Sequence, residues 1–368
     1  MSTTIKFILG TLIVIFVSCK ADQDSSNVDE SEKNVKTSAG YEKIVGKTMG
    51  TTYHITLGRI VPGIQKKIDQ LLLDINNEVS TYIPEAAISR FNKADRRIVL
   101  QETKNPINMN RHFKAVFNRA KTIFTETDGA FDPTVMPLVN FWGFGPNKKN
   151  PKKVDTEEVK AMAAIVDFDK VRTRLVGKDQ KLYLEKPEKA IQLDFSAIAK
   201  GYALDKIAFM LEQNAIGNYM IEIGGEVRAR GINKKGALWK IGINRPQIGS
   251  PGDDFFKILH LENISIATSG NYRNYFKLNN KIFSHTINPK TGFPERSDLL
   301  SCTIFADKCI VADAFATACM VMGLEKAMEK VVSMNGIEAY FIYSKDDGTL
   351  GEKFTDGAEK YLTEKKSI

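Results

Sequence analysis

The chain has 368 residues, of which 43% are hydrophobic and 26% charged, and it carries a formal charge of +8. That is enough apolar content to bury one large core or two ordinary ones, which excludes an intrinsically disordered protein. The basic residues fall in short pairs such as Lys66-Lys67, Lys148-Lys149 and Lys152-Lys153, with no long basic run interleaved with aromatics, so the charge reads as solvated surface and not as a nucleic-acid footprint.

In chain order, Lys6 precedes an apolar run from Phe7 to Val17 that is too short to span a bilayer and suits the core of a secretory signal. The run ends in Phe16-Val17-Ser18-Cys19, a small residue before cysteine, which resembles a bacterial lipobox. Residues 1–18 are therefore expected to be a lipoprotein signal peptide, with Cys19 lipidated and the polar stretch 19–40 a flexible tether. Such a chain would be membrane-anchored and face the periplasm. The inner membrane is favoured, although Lys20 stands where an aspartate would favour retention there. The remaining cysteines, Cys302, Cys309 and Cys319, show no metal-ligand spacing and read as core residues, with one disulfide open to an oxidising compartment.

The folded unit is expected over 41–365. Tyr41–Val45 and Thr51–Leu57 alternate as strands around a glycine-bounded turn holding Met49. Ile60–Val79 and Met109–Thr127 space their apolar residues as amphipathic helices, and Tyr82 follows the first of them, just ahead of Pro84. In Thr127-Asp128-Gly129-Ala130-Phe131-Asp132-Pro133-Thr134, proline holds Asp132 extended, so its carboxylate is expected to be presented to a ligand. The aromatic run Val135–Gly145 suits either core or the wall of a ring-binding pocket. Pro151–Val166 reads as an exposed helix, and Arg174–Leu184 as a hairpin.

A strand is expected to carry Asp194 to the start of a helix that begins near Ala197 and Lys200, where helix amides and a lysine suit an anion. Tyr219–Ile223 is a strand ending at Gly224-Gly225, which either packs closely or approaches a ligand. Further strands are expected at Trp239–Ile243, Phe256–Leu261, Ile264–Thr268, Lys281–His285, Leu300–Phe305 and Ile337–Tyr343. Ile310–Met322 reads as a helix, on which Asp313 and Thr317 sit four residues apart and face the same side. Nothing else in the sequence places a possible base, His285, so near a possible oxygen-ligand pair.

The blocks MGTTY (49–53), TDGAFDPTV (127–135), DFSAIAKGYALD (194–205), IGGE (223–226), ATSGNYR (267–273), SHTINPKTG (284–292) and ADAFAT (312–317) together resemble the ApbE family of FAD:protein FMN transferases. The resemblance spans Tyr41 to Tyr343 with the blocks in the family's order. It implies an α+β (mixed α/β) fold, a compact catalytic unit of two intertwined subdomains with the FAD and magnesium site between them. It implies that Met49, Tyr82, Ala130, Phe131, Asp132, Asp194 and Lys200 contact FAD, that Ala197 (through its carbonyl), Asp313 and Thr317 hold Mg²⁺, and that His285 is the base. The reaction implied is transfer of FMN from FAD to a serine or threonine hydroxyl of a partner protein, with release of AMP. If water replaces the hydroxyl, the same site hydrolyses FAD. The partners implied are flavin-carrying subunits of membrane redox pumps of the NADH:quinone or Rnf type. The chain departs from the family at Thr286, Asn288 and Lys290, and it has no acidic residue at Ile310 or Val311.

Overall fold

The computed structural model describes residues 40–102, 109–146, 150–151, 153–178, 181–247, 249–251, 253–272, 274–278 and 281–362. The leader, Cys19, nearly all of the tether, Arg273 and three of the paired lysines (Lys148, Lys149 and Lys152) lie outside the described residues. Among the described residues no helix is long and apolar enough to cross a membrane.

The frame is an eight-stranded sheet. Its strands are β1 (Glu42–Thr48), β2 (Thr51–Leu57), β3 (Tyr219–Ile223), β4 (Glu226–Arg230), β5 (Ile264–Gly270), β6 (Leu299–Ala306), β7 (Ile337–Ser344) and β8 (Leu350–Phe354). They lie side by side in chain order, every neighbouring pair antiparallel. The long excursion between β2 and β3 returns to the strand it left, so that Ile55 pairs with Ile221.

Both faces of this sheet are buried, and the period-two alternation of each strand splits its side chains between two cores. Tyr219, Ile221, Ile223 and Ile304 face the larger core, whereas Met220 and Phe305 face the smaller. The four longest helices among the described residues pack in the larger core: α1 (Ile64–Val79), α2 (Arg111–Glu126), α3 (Ala199–Gln213) and α4 (Cys309–Met322). The smaller core is closed by the hairpin Trp239–Asn244 with Phe255–Leu261 and by Tyr361. A third cluster of Leu138, Trp142, Val159, Phe283 and Ile287 gathers the aromatic run and the segment around His285.

Helix α4 is apolar on nearly every side because it is buried on nearly every side, including Asp313. Its N-terminal amides are capped from a neighbouring helix: Asp205 Oδ1 and Oδ2 accept from Cys309 N–H (2.9 Å) and Ile310 N–H (3.0 Å). Helix α3 crosses so closely that a Cβ on Gly201 would lie 2.3 Å from the Cys309 carbonyl oxygen. Gly201 and Asp205 thus serve the packing of the helix that carries Asp313. Gly201→Ala is expected to cost about 1–3 kcal/mol through overpacking, read as a lowered melting temperature; a variant melting like the wild type would refute the close crossing.

Several expectations change. Gln192–Asp194 is not a strand: Gln192 makes a single bridge to Val135, and the backbone of Leu193 exchanges hydrogen bonds with the Asn92 side-chain amide. The exposed helix of Pro151–Val166 shortens to Thr156–Ala163, started by the Asp155 side chain accepting from Glu157 N–H. The hairpin at Arg172–Val176 and Lys181–Glu185 gains a third strand, Arg97–Gln101, that the sequence analysis did not identify. Cys302, Cys309 and Cys319 are buried free thiols.

Candidate functional site

The site forms where α3 starts, where β3 turns into β4, and where α4 runs beneath β5 and β6. Lys200, on the first turn of α3, extends its ammonium to within 3.4 Å of Glu226 Oε1 and 3.8 Å of Asp313 Oδ1. It also donates to the Ser196 carbonyl at 3.2 Å. Burial works against the ammonium, but Asp313 and Glu226 outweigh it and hold the Lys200 pKa above the ordinary lysine value. Glu226 is pushed up, first by burial and then, against the pull of Lys200, by the Asp313 charge.

Asp313 divides its oxygens between two tasks. Oδ2 accepts the Gly201 N–H at 2.9 Å, and Oδ1 faces Lys200. Gly201 stands in the first turn of α3, where an amide has no acceptor within the helix, and Asp313 supplies one. Thr317, one turn further along α4, places Oγ1 3.4 Å from Ser269 Oγ on β5. The oxygens expected to hold a cation, from the Ala197 carbonyl, Asp313 and Thr317, are of the kind Mg²⁺ accepts. Among the described residues no three His, Cys, Asp or Glu side chains cluster at metal-binding distance.

His285 follows strand Lys281–Ser284 and is half-buried. Its Nδ1 lies 3.2 Å from the Asn274 carbonyl oxygen. A carbonyl only accepts, so Nδ1 carries the proton and the lone pair is left on Nε2. Desolvation lowers the His285 pKa and the Lys200 charge adds to this, against the bond to Asn274. The ring edge meets Phe144, 6.3 Å between centroids. Of the two roles left open for the aromatic run, Leu138 and Trp142 take that of core, and Phe144 packs against the same cluster.

The residues expected to meet FAD fall in two groups. Met49 and Gly50 form the two-residue β1–β2 turn, both with positive φ (50° and 74°). A left-handed methionine is strained, and its half-buried side chain packs on the larger core. Tyr82 is 59% exposed, its hydroxyl pKa pushed up by partial burial and by the Asp194 charge. Asp194 accepts from the Ser196 N–H (2.8 Å) and hydroxyl (2.6 Å), and its own N–H donates to the Pro133 carbonyl at 2.7 Å. That last bond joins it to the Ala130–Asp132 turn.

Within that turn Asp132 is not presented. It is 8% exposed, Oδ1 accepts from the Thr134 N–H and hydroxyl, and Oδ2 accepts from the Phe168 N–H at 3.2 Å. Burial raises its pKa to about 6. Pro133 does keep the backbone extended, but Thr134 and Phe168 decide where the carboxylate points. Ala130 and Phe131 are likewise buried. Ala130 nevertheless lines a cavity of about 430 Å³ together with Asn288 and Lys290, so this turn meets the turn after His285.

Ser269 and Glu226, the partners of Thr317 and Lys200, were not among the residues expected at the site. The signal was a polar residue at the end of each block, in Ile-Gly-Gly-Glu and Ala-Thr-Ser-Gly; their partners lie far away in sequence.

Comparison with known proteins matches the profile of the ApbE family to residues 49–341. The chain is 38% identical over 328 residues to the FAD:protein FMN transferase of Haemophilus influenzae, covering 87% of this chain and 91% of that protein. It is 37% identical to the corresponding protein of Vibrio cholerae serotype O1, covering 84% and 91%. The solved structure of the flavin transferase ApbE from Vibrio cholerae superposes with a TM-score of 0.72 at 33% identity, over 88% of this chain and 99% of that one.

Proposed function

Since this chain belongs to the ApbE family, we propose that it is an FAD:protein FMN transferase that passes FMN from FAD to a serine or threonine hydroxyl of a partner protein. The observation that carries the reading is His285, with its Nδ1 proton committed to Asn274 and Nε2 left to accept a proton beside Lys200. As the acceptor hydroxyl oxygen bonds to the phosphorus on the FMN side of the pyrophosphate, the bond to the AMP phosphate breaks. The hydroxyl proton passes to His285 Nε2.

Lys200 supplies a positive charge for the phosphate oxygens, and Asp194 with Tyr82 and the Met49 turn would bound the flavin nucleotide. The buried Ala130–Asp132 turn supports that wall from behind. Magnesium, held by the Ala197 carbonyl, Asp313 and Thr317, would neutralise charge on the pyrophosphate. The partner is read as a flavin-carrying redox-pump subunit of the NADH:quinone or Rnf type. The lipobox-like leader supports anchoring through Cys19 at the inner membrane, facing the periplasm. Mass measurement of an N-terminal peptide starting at acylated Cys19 tests the anchor.

Incubation with FAD, Mg²⁺ and an acceptor protein should yield acceptor heavier by one FMN, together with AMP. Free FMN and AMP with an unmodified acceptor would show hydrolysis instead, and neither product would refute the reading.

Because His285 must be neutral to accept a proton and its pKa lies below the ordinary 6.5, the base stays competent as pH falls past that value. The acid limb of kcat/KM is expected to have its midpoint below pH 6.5. A midpoint above it would separate the limb from His285.

A further inference from the structure

Glu226 is a buried acid with no part in the chemistry above. It is 6% exposed, one oxygen faces Lys200 at 3.4 Å, and the other, Oε2, is buried without a hydrogen-bond partner. An unpaired buried carboxylate oxygen is costly, so something must hold it there.

The β3–β4 turn does so. The Gly225 N–H donates to Glu222 Oε1 at 2.7 Å, Glu222 Oε2 pairs with His54 Nδ1 at 2.7 Å, and the Gly224 N–H reaches the Thr52 carbonyl at 3.3 Å. A Cβ on Gly224 would stand 2.9 Å from Thr51 Cγ2 and 3.4 Å from Lys200 Cδ. The lysine stem therefore runs over the bare glycine and ends between two fixed carboxylates. Its ammonium faces Asp313 Oδ1, the oxygen that Gly201 leaves free. A divalent cation on that oxygen would meet Lys200 as a like charge, and both compete for the same atom.

We propose that Glu226 is a positioning residue that draws the Lys200 ammonium away from Asp313, so that one lysine stands in for the cation before loading and turns to the substrate phosphate after it. This rests on the cation and FAD assignments made above. Without the Glu226 charge, Asp313 is the one carboxylate left within 4 Å of the Lys200 ammonium among the described residues, and Lys200 blocks the cation more strongly. With Lys200 also removed, the block disappears.

The test is Mn²⁺ binding without FAD, followed by electron paramagnetic resonance, for the wild type, Glu226→Gln, Lys200→Met and the double variant. Glu226→Gln is expected to weaken Mn²⁺ binding by about 2- to 150-fold, the coupling range of one ion-pair network. In the Lys200→Met background the same change should cost much less. Glu226→Asp, which keeps the charge, should recover part of the affinity and supplies the cycle if Glu226→Gln does not fold. An equal loss in both backgrounds would make Glu226 a direct ligand and overturn the proposal, as would no loss in the wild-type background. A wild type that binds no Mn²⁺ removes the cation assignment itself, and this inference falls with it.

Discussion

His285→Ala is expected to cut FMN transfer by roughly 10²–10⁴-fold, the usual worth of a positioned general base, while FAD binding changes little. The imidazole is fixed by the Asn274 carbonyl at Nδ1 and by the edge of Phe144, so its free nitrogen has one orientation available. Alanine removes the proton acceptor and leaves Lys200, Asp313 and Glu226 in place. Equilibrium FAD binding and single-turnover transfer, measured on the same preparation, separate the two effects. A flavin carrier without chemistry would bind FAD equally well before and after the change and show no turnover in either case. Full transfer by the variant would remove His285 from the mechanism.

Asp313→Asn is expected to lower transfer by roughly 10²–10³-fold, the range for loss of one preorganised electrostatic group. Asparagine still offers an oxygen to the Gly201 N–H, so the crossing of α3 and α4 should survive and the melting temperature should barely move. What disappears is the charge facing Lys200, so on the proposed function the remaining activity should need more Mg²⁺. Asp313→Ala provides the contrast. It orphans the buried Gly201 amide as well, and is expected to cost about 1–3 kcal/mol of stability. If Asp313→Asn kept wild-type transfer at the same Mg²⁺ concentration, the carboxylate would be structural only.

Much of the frame was legible because it repeats locally. Helical spacing identified α1 and α2, alternation identified β2, and β3, β6, β7 and α4 were each expected within a few residues of where they lie. Where the reading failed, the backbone had found a partner that no local pattern encodes. Ile191, Leu193 and Phe195 alternate like a strand because all three enter the core, yet the amide of Asn92 takes the hydrogen bonds a neighbouring strand would have taken. Asp132 was read as presented from its proline, but the Phe168 amide that helps turn it inward lies 36 residues on.

By itself the sequence determined the kinds of groups available and their local facing: an imidazole beside a proline-glycine turn, and Asp313 and Thr317 on one side of a helix, because four residues make about one turn. Only the tertiary structure decided which proton His285 carries, since that depends on the Asn274 carbonyl. It alone decided that Gly201 takes one oxygen of Asp313, and that Lys200 ends between Asp313 and Glu226. Those contacts join α3, α4 and the β3–β4 turn, segments remote in sequence that meet only because the sheet and its helices bury their apolar faces together.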